Sequence, residues 1–148
     1  MGDYTTNNYF YIPEVGEKAS EGKSLFDAAL EATDAVIHGV FEAHTEDDTL
    51  THAESNSVHS NLGASEAVTL TLPQDATAGM KFYFVVMEAY ELRIDPGAAG
   101  AVYINGAKQT DNMYVWADAI NESIMLVADG NGDWIALFVT GTWTIETP

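Results

Sequence analysis

The sequence predicts a mainly β protein: an antiparallel β-sandwich or small barrel, jelly-roll-like, preceded by an extended N-terminal arm and one short helix. Three observations carry this. From Glu66 onward apolar residues alternate with polar ones in short runs, the period of a half-buried strand. Gly, Asn and Pro turn signals separate those runs at close spacing, as in sandwiches and barrels. The 148 residues are 47% apolar and 19% charged, about one domain's worth of chain with enough apolar surface for a core.

Residues 1–23 form the arm. Tyr4, Tyr9, Phe10, Tyr11 and Ile12 precede Pro13 and Gly16, which break any continuous helix or long strand. The segment reads either as a first strand of the main sheet or as an arm whose aromatics dock on another protein. Large apolar side chains in a row are costly to leave in water, so something covers them.

Residues 24–42 carry the helix signal. Ser24 and Asp27 make an S-x-x-D start, with the hydroxyl capping an orphan N–H and the acid at the positive end of the dipole. Phe26, Leu30, Thr33, Ile37 and Val40 then recur at heptad spacing, laying one apolar seam along the helix, and Gly39 is a plausible stop. The seam packs either on the chain's own β-domain or between identical subunits. Residues 43–65 change composition, with Glu46, Asp47, Asp48 and Glu54 among Thr, Ser, Asn and His. Because structureless internal loops of that length are uncommon, the stretch reads as an acidic linker.

Residues 66–148 read as the β-domain. Val68, Leu70 and Leu72 alternate with Ala67, Thr69 and Thr71 until Pro73 ends the run. Residues 81–94 are apolar on both faces in their first half, and Asp95-Pro96-Gly97 is a turn. Shorter strands follow near 101–104, 113–117 and 123–128, with hairpin signals at Asn105-Gly106 and at residues 129–132. In the last strand Ile135, Leu137, Val139, Trp143 and Ile145 share the buried face, opposite Phe138, Thr140, Thr142 and Thr144. On this reading the β-domain is complete from Glu66 and folds without the first 60 residues.

Charge and composition exclude several functions. With 23 Asp and Glu against 5 Lys and Arg, the net charge of −18 argues against nucleic acid and against anionic membranes as partners. Cysteine is absent, which removes disulfides, thiolate nucleophiles and Cys-ligated zinc. No apolar run approaches a membrane span, and the first residues lack the pattern of a secretory signal.

The search for chemistry yields little. Asp129, Asn131 and Asp133 copy the first ligand positions of an EF-hand loop, but Trp134 and Thr140 stand where its Gly and bidentate Glu belong, so the stretch reads as a β-turn. His38, His44, His52 and His59 contain no metal-binding spacing and read as solvated linker residues; His52 and His59 could meet across a symmetry axis. The stretch from Gly63 to Ala67 resembles a nucleophile elbow without its last Gly or its strand–turn–helix setting. No enzyme activity, metal or cofactor is expected.

Some stretches do carry a resemblance. EAVTLTLP, GMKFYFVVMEAYELRIDP, ADAINESIMLVADGNGDW and the closing GTWT resemble a small β-domain recurrent in virion structural proteins of tailed bacteriophages. YFYIPEVGE followed by FDAALEATDAVI is similar to attachment segments of phage appendage proteins. The resemblance implies a capsid decoration (cement) protein that binds the outside of the head as a homotrimer. Its partners would be the major capsid protein and its own copies, with Tyr4, Tyr9, Phe10, Tyr11 and Ile12 as the capsid-binding arm. A short tail fibre or appendage is the neighbouring possibility, although fibre-type shaft repeats are missing. A carbohydrate-binding β-sandwich module is the alternative from another class, resting on Trp116, Trp134 and Trp143, and it requires Trp116 and Trp134 exposed together.

Overall fold

The computed structural model describes residues 3–4, 11–12 and 39–147. Two compact units are present, Met1–Ile37 and His38–Pro148. In the first, β1 (Asp3–Tyr4) pairs antiparallel with β2 (Tyr11–Ile12), Asp3 opposite Ile12 and Tyr4 opposite Tyr11. The expected helix lies outside the described residues except at its end. There Gly39 is left-handed (φ 53°), with no room for a Cβ against the Asn56 carbonyl, and Val40 runs extended. The expected helical span to residue 42 is therefore corrected: residues 41–42 belong to a strand.

The second unit is a two-sheet sandwich, mainly β as expected but with mixed sheets. Its first half winds as a flattened coil that alternates between the sheets. β3 (Phe41–Ala43), β5 (Val58–Ser60) and β7 (Lys81–Val85) lie side by side and parallel in one sheet. β4 (Asp48–Thr49), β6 (Val68–Thr71) and β8 (Leu92–Asp95) do the same in the other. The second half adds β9 (Val102–Ile104), β10 (Ala107–Lys108), β11 (Val115–Ala117), β12 (Ser123–Ala128), β13 (Trp134–Thr140) and β14 (Thr144–Ile145). The sheets then read β10-β9-β13-β12-β7-β5-β3 and β14-β11-β8-β6-β4.

Both sheets bury one face in a common core. Phe82, Phe84, Leu126 and Trp134 from the first meet Val68, Leu70, Leu92 and Ile94 from the second, and the Phe82 and Trp134 rings lie 5.7 Å apart. The predicted turns are present. Asn105 and Gly106 take left-handed φ of 56° and 81° and close the two-residue β9–β10 hairpin, as a primed turn requires. No helix among the described residues is long and apolar enough to cross a membrane.

Two other expectations are corrected. The supposed linker at 43–65 is structural: it holds β4, β5 and a 3-10 turn at His52–Glu54, and Leu50, His59, Ser60 and Asn61 are buried. Its buried polar side chains are hydrogen-bonded, one ring nitrogen of His59 excepted. The expected last strand is two strands in different sheets, separated at left-handed Gly141 (φ 83°). Ile135, Leu137 and Val139 are exposed and do not form the expected buried face. Trp134 pairs with inward Ala128 and is buried, and Leu137 is the extra residue of a bulge opposite Met125 and Leu126. Beyond it Phe138 takes the outer side with Ile135, while Val139 stands opposite Ile124.

Asn61 holds the coil together. Its carboxamide oxygen accepts the N–H groups of Met87 (2.7 Å) and Glu88 (3.0 Å), and its nitrogen donates to the carbonyls of Glu88 (3.1 Å) and Tyr90 (2.9 Å). All four hydrogen-bonding valences of the side chain are thereby used on the segment that carries the chain from β7 to β8. Replacing Asn61 with Ala is expected to cost roughly 3 kcal/mol or more in urea unfolding, since it strands several backbone groups. Deleting residues 1–60 is expected to abolish the cooperative melt, whereas deleting 1–37 preserves it; circular dichroism melts of the two truncations check this.

Candidate functional site

The outer face of the seven-stranded sheet carries one apolar row across five of its strands. Alternation along each strand sends Phe82, Phe84, Ile124 and Leu126 inward, which turns Tyr83, Val85, Met125 and Val127 outward. Strand register aligns these outward residues into rows. Phe41 pairs with Val58, Val58 with Tyr83, Tyr83 with Met125, and Met125 with Phe138. A second row runs Lys81, Val127, Ile135, Tyr103, Lys108. A third holds Ala43, Ser60, Val85, Ser123 and Thr140. None of these rows contains an aspartate or glutamate, in a chain with 23 of them.

Phe138 stands out of this face at 70% exposure, beside a shallow groove lined by Val58, Tyr83, Val85, Ser123 and Met125. Leu137, the extra residue of the bulge, is also exposed. The outer face of the five-stranded sheet differs in kind. There Thr144, Trp116, Arg93 and Thr69 form a row, and Asp95 pairs with Thr71.

At the β3 end of the seven-stranded sheet, on its inner side, two histidines are buried. Glu42 is the register partner of His59, and His44 follows on the same side of the chain as it leaves β3. His44 Nε2 lies 3.0 Å from His59 Nδ1, and His44 Nδ1 lies 3.3 Å from Asp48 Oδ2. Glu42 Oε2 is 3.9 Å from His59 Nδ1. The Asp48 carboxylate calls for a proton on His44 Nδ1, so His44 Nε2 accepts from His59 Nδ1–H and the His59 Nε2 lone pair is left over. No group lies within hydrogen-bond distance of that nitrogen. The Phe82 and Phe84 rings flank it, with centroids 5.6 and 5.7 Å from that of His59.

Burial drives the His59 pKa down from 6.5 to about 4, helped by neighbouring His44; Glu54, through its charge and its more distant backbone carbonyl, and Asp48 pull the other way. His59 is therefore neutral at pH 7.

The other expected site residues fall as follows. Tyr4, Tyr11 and Ile12 lie in the β1–β2 pair, while Tyr9 and Phe10, and the seam residues Phe26, Leu30, Thr33 and Ile37, lie outside the described residues. Val40 is exposed and its N–H donates to Ser57 Oγ (3.0 Å), so it belongs to no helical seam. The reading of the histidines as solvated is corrected for His44 and His59. His52 is exposed beside Asp75, 3.0 Å away, and does not meet His59 within the chain. Reading FEAH as a strand would have put Glu42 and His44 on one side, while His59 joins them only through the parallel pairing of β3 with β5.

Residues 129–133 form the expected turn. Asp129 Oδ1 accepts the N–H groups of Asn131 (2.7 Å) and Asp133 (3.1 Å), which holds its carboxyl below the usual range. Asp133 points away from a cation loop, accepting from Ala101 N–H (3.0 Å) and the Lys108 ammonium (2.7 Å). Trp134 and Trp143 are buried, so the tryptophans assemble no sugar platform of the kind that required Trp134 exposed. No protein-family model matches this chain, and no curated protein matches it either.

The neutral buried His59 makes the fold acid-sensitive. Its folded pKa is depressed, so its contribution is complete above pH 6.5 and is lost as pH falls from 6.5 towards about 4. Unfolding free energies from urea titrations in a chelating buffer are expected to fall across that window, by about 3 kcal/mol from this group. His59→Phe should remove that part of the slope.

Proposed function

We propose that this chain is a capsid decoration (cement) protein that binds the outside of a tailed-phage head as a homotrimer and stabilises it. The observation that supports the reading best is the apolar, acid-free outer face of the seven-stranded sheet. Copies carrying a charge of −18 repel one another on approach. A face whose strand rows carry no carboxylate, and which Asp111 and Asp133 reach only at Lys108 on its edge, is where two copies can meet at least electrostatic cost. Burying it removes large side chains from water. Phe41 and Phe138 are 52% and 70% exposed, more than isolated surface residues explain when they share one row.

The face offers both parts of a contact: Phe138 projects and lines a shallow groove together with Tyr83 and Met125, so the ring of one copy can enter the groove of another. The trimer number and the phage setting rest on the sequence resemblance. The arm residues Tyr4, Tyr9, Phe10, Tyr11 and Ile12 are assigned to binding the major capsid protein, where three weak attachments in one trimer reinforce each other through effective concentration. The acid-rich remainder of the surface suits an exterior position, where it keeps crowded copies soluble.

Native mass spectrometry and sedimentation are expected to give three times the chain mass, and Phe138→Glu should shift the protein towards monomer by at least about tenfold in dissociation constant. A wild-type monomer at high concentration would sink the assembly. Stripped capsids should bind the full chain and not a variant lacking residues 1–12. Equal binding of both rejects the arm as anchor, and binding of neither rejects the capsid role.

A further inference from the structure

We propose that Glu42, His44 and His59 form a binding site for a divalent transition-metal ion of the zinc class, with Asp48 orienting the His44 ring from outside. One ligand atom from each of the three lies within 4.8 Å of the other two. Around a tetrahedral zinc ion with bonds of about 2.0–2.1 Å, ligand atoms sit about 3.4 Å apart. The two imidazole nitrogens, now 3.0 Å apart, must separate by a few tenths of an ångström. The Glu42 oxygen, 3.9 Å from His59 Nδ1, must close by about half an ångström, a small swing for a side chain that is 40% exposed.

The donor set selects the ion. Two imidazoles and one carboxylate suit zinc and its neighbours, whereas calcium and magnesium favour all-oxygen shells. The His59 side chain is fully buried, strand register places Glu42 opposite it, and the His44 backbone N–H donates to the Ser60 carbonyl at 2.8 Å. Asp48 faces His44 Nδ1, holding the proton on that nitrogen and leaving Nε2 free to ligate, the arrangement that commonly orients a metal-bound imidazole.

Ligation through Nδ1 moves the His59 proton to Nε2, the nitrogen that has no hydrogen-bond partner. The ion's charge offsets Glu42 and Asp48, so the occupied site adds no net charge to the edge of the core. An entry path exists on the side of these two carboxylates, whose side chains are 40% and 50% exposed. That side also leaves a fourth coordination position to water.

The test uses the full chain, freed of metal by chelator and titrated with zinc chloride by calorimetry and thermal melting. Calcium and magnesium chloride serve as controls. One zinc per chain is expected, with the melting temperature raised roughly 5–10 °C at about 100 times Kd, and no comparable effect of calcium or magnesium. Glu42→Gln and Asp48→Asn, both at partly exposed positions, should melt like wild type in chelator and bind zinc about 10–100-fold more weakly. Cobalt(II) should give the visible absorption of a four-coordinate site in wild type and lose it in Glu42→Gln. His52→Ala, at the exposed histidine, should change nothing. Zinc binding that leaves the melt unmoved, that is equally tight in Glu42→Gln, or that disappears with His52→Ala overturns the site. None of these results depends on whether the protein binds capsids.

Discussion

The four hydrogen bonds of Asn61 are the interaction on which the rest of the fold depends. A chain that shuttles between two packed sheets must leave one ladder and enter the next, and at each crossing its backbone groups lose their strand partners. Where the crossing is covered, those groups need other partners or cost several kcal/mol in sum. The segment between β7 and β8 is such a crossing, and the fully buried Asn61 side chain answers it by acting as a short piece of strand. Because Asn61 itself sits on the crossing from β5 to β6, the bond set ties one layer of the coil to the next. The parallel registers of β5 with β7 and of β6 with β8 are fixed on either side of it.

What could be read from the sequence is what local chemistry decides. Asn105-Gly106 gives a primed turn because both positions need positive φ, and Pro73 follows the end of β6 because it cannot donate to a ladder. The coil left no such trace. Its neighbouring strands are parallel and separated by whole layers of chain, Phe41 pairing with Val58 and Val58 with Tyr83, so no hairpin signal marks them. Residues 43–65 looked like linker because polar side chains are usually solvated, yet His44, His59, Ser60 and Asn61 are buried with partners close by. The bulge in β13 is equally silent, and one extra residue there reverses which side chains face the core.

The histidine cluster was hidden for a related reason. Its members come from two layers of the coil, with Glu42 and His44 on one and His59 on the next, so no spacing within a single element reveals them. Only the parallel pairing of β3 with β5 brings them together. The same pairing sets the two sides of β3 to different tasks. Glu42 faces the histidines, while Phe41 faces outward at the end of the apolar row that runs to Phe138. β3 is the terminal strand of its sheet, short and held to β5 alone among the described strands.

That position links the two surfaces physically. A three-residue edge strand has few ladder bonds to hold it, and frays more readily than the strands inside the sheet. Anything that ties Glu42 to His44 and His59 ties β3 to β5 and so holds Phe41 in register with Val58. Order on the inner side of the edge strand therefore bears on the outer apolar row, although neither imidazole lies on that row. In the proposed trimer, a preordered row lowers the entropy lost on association.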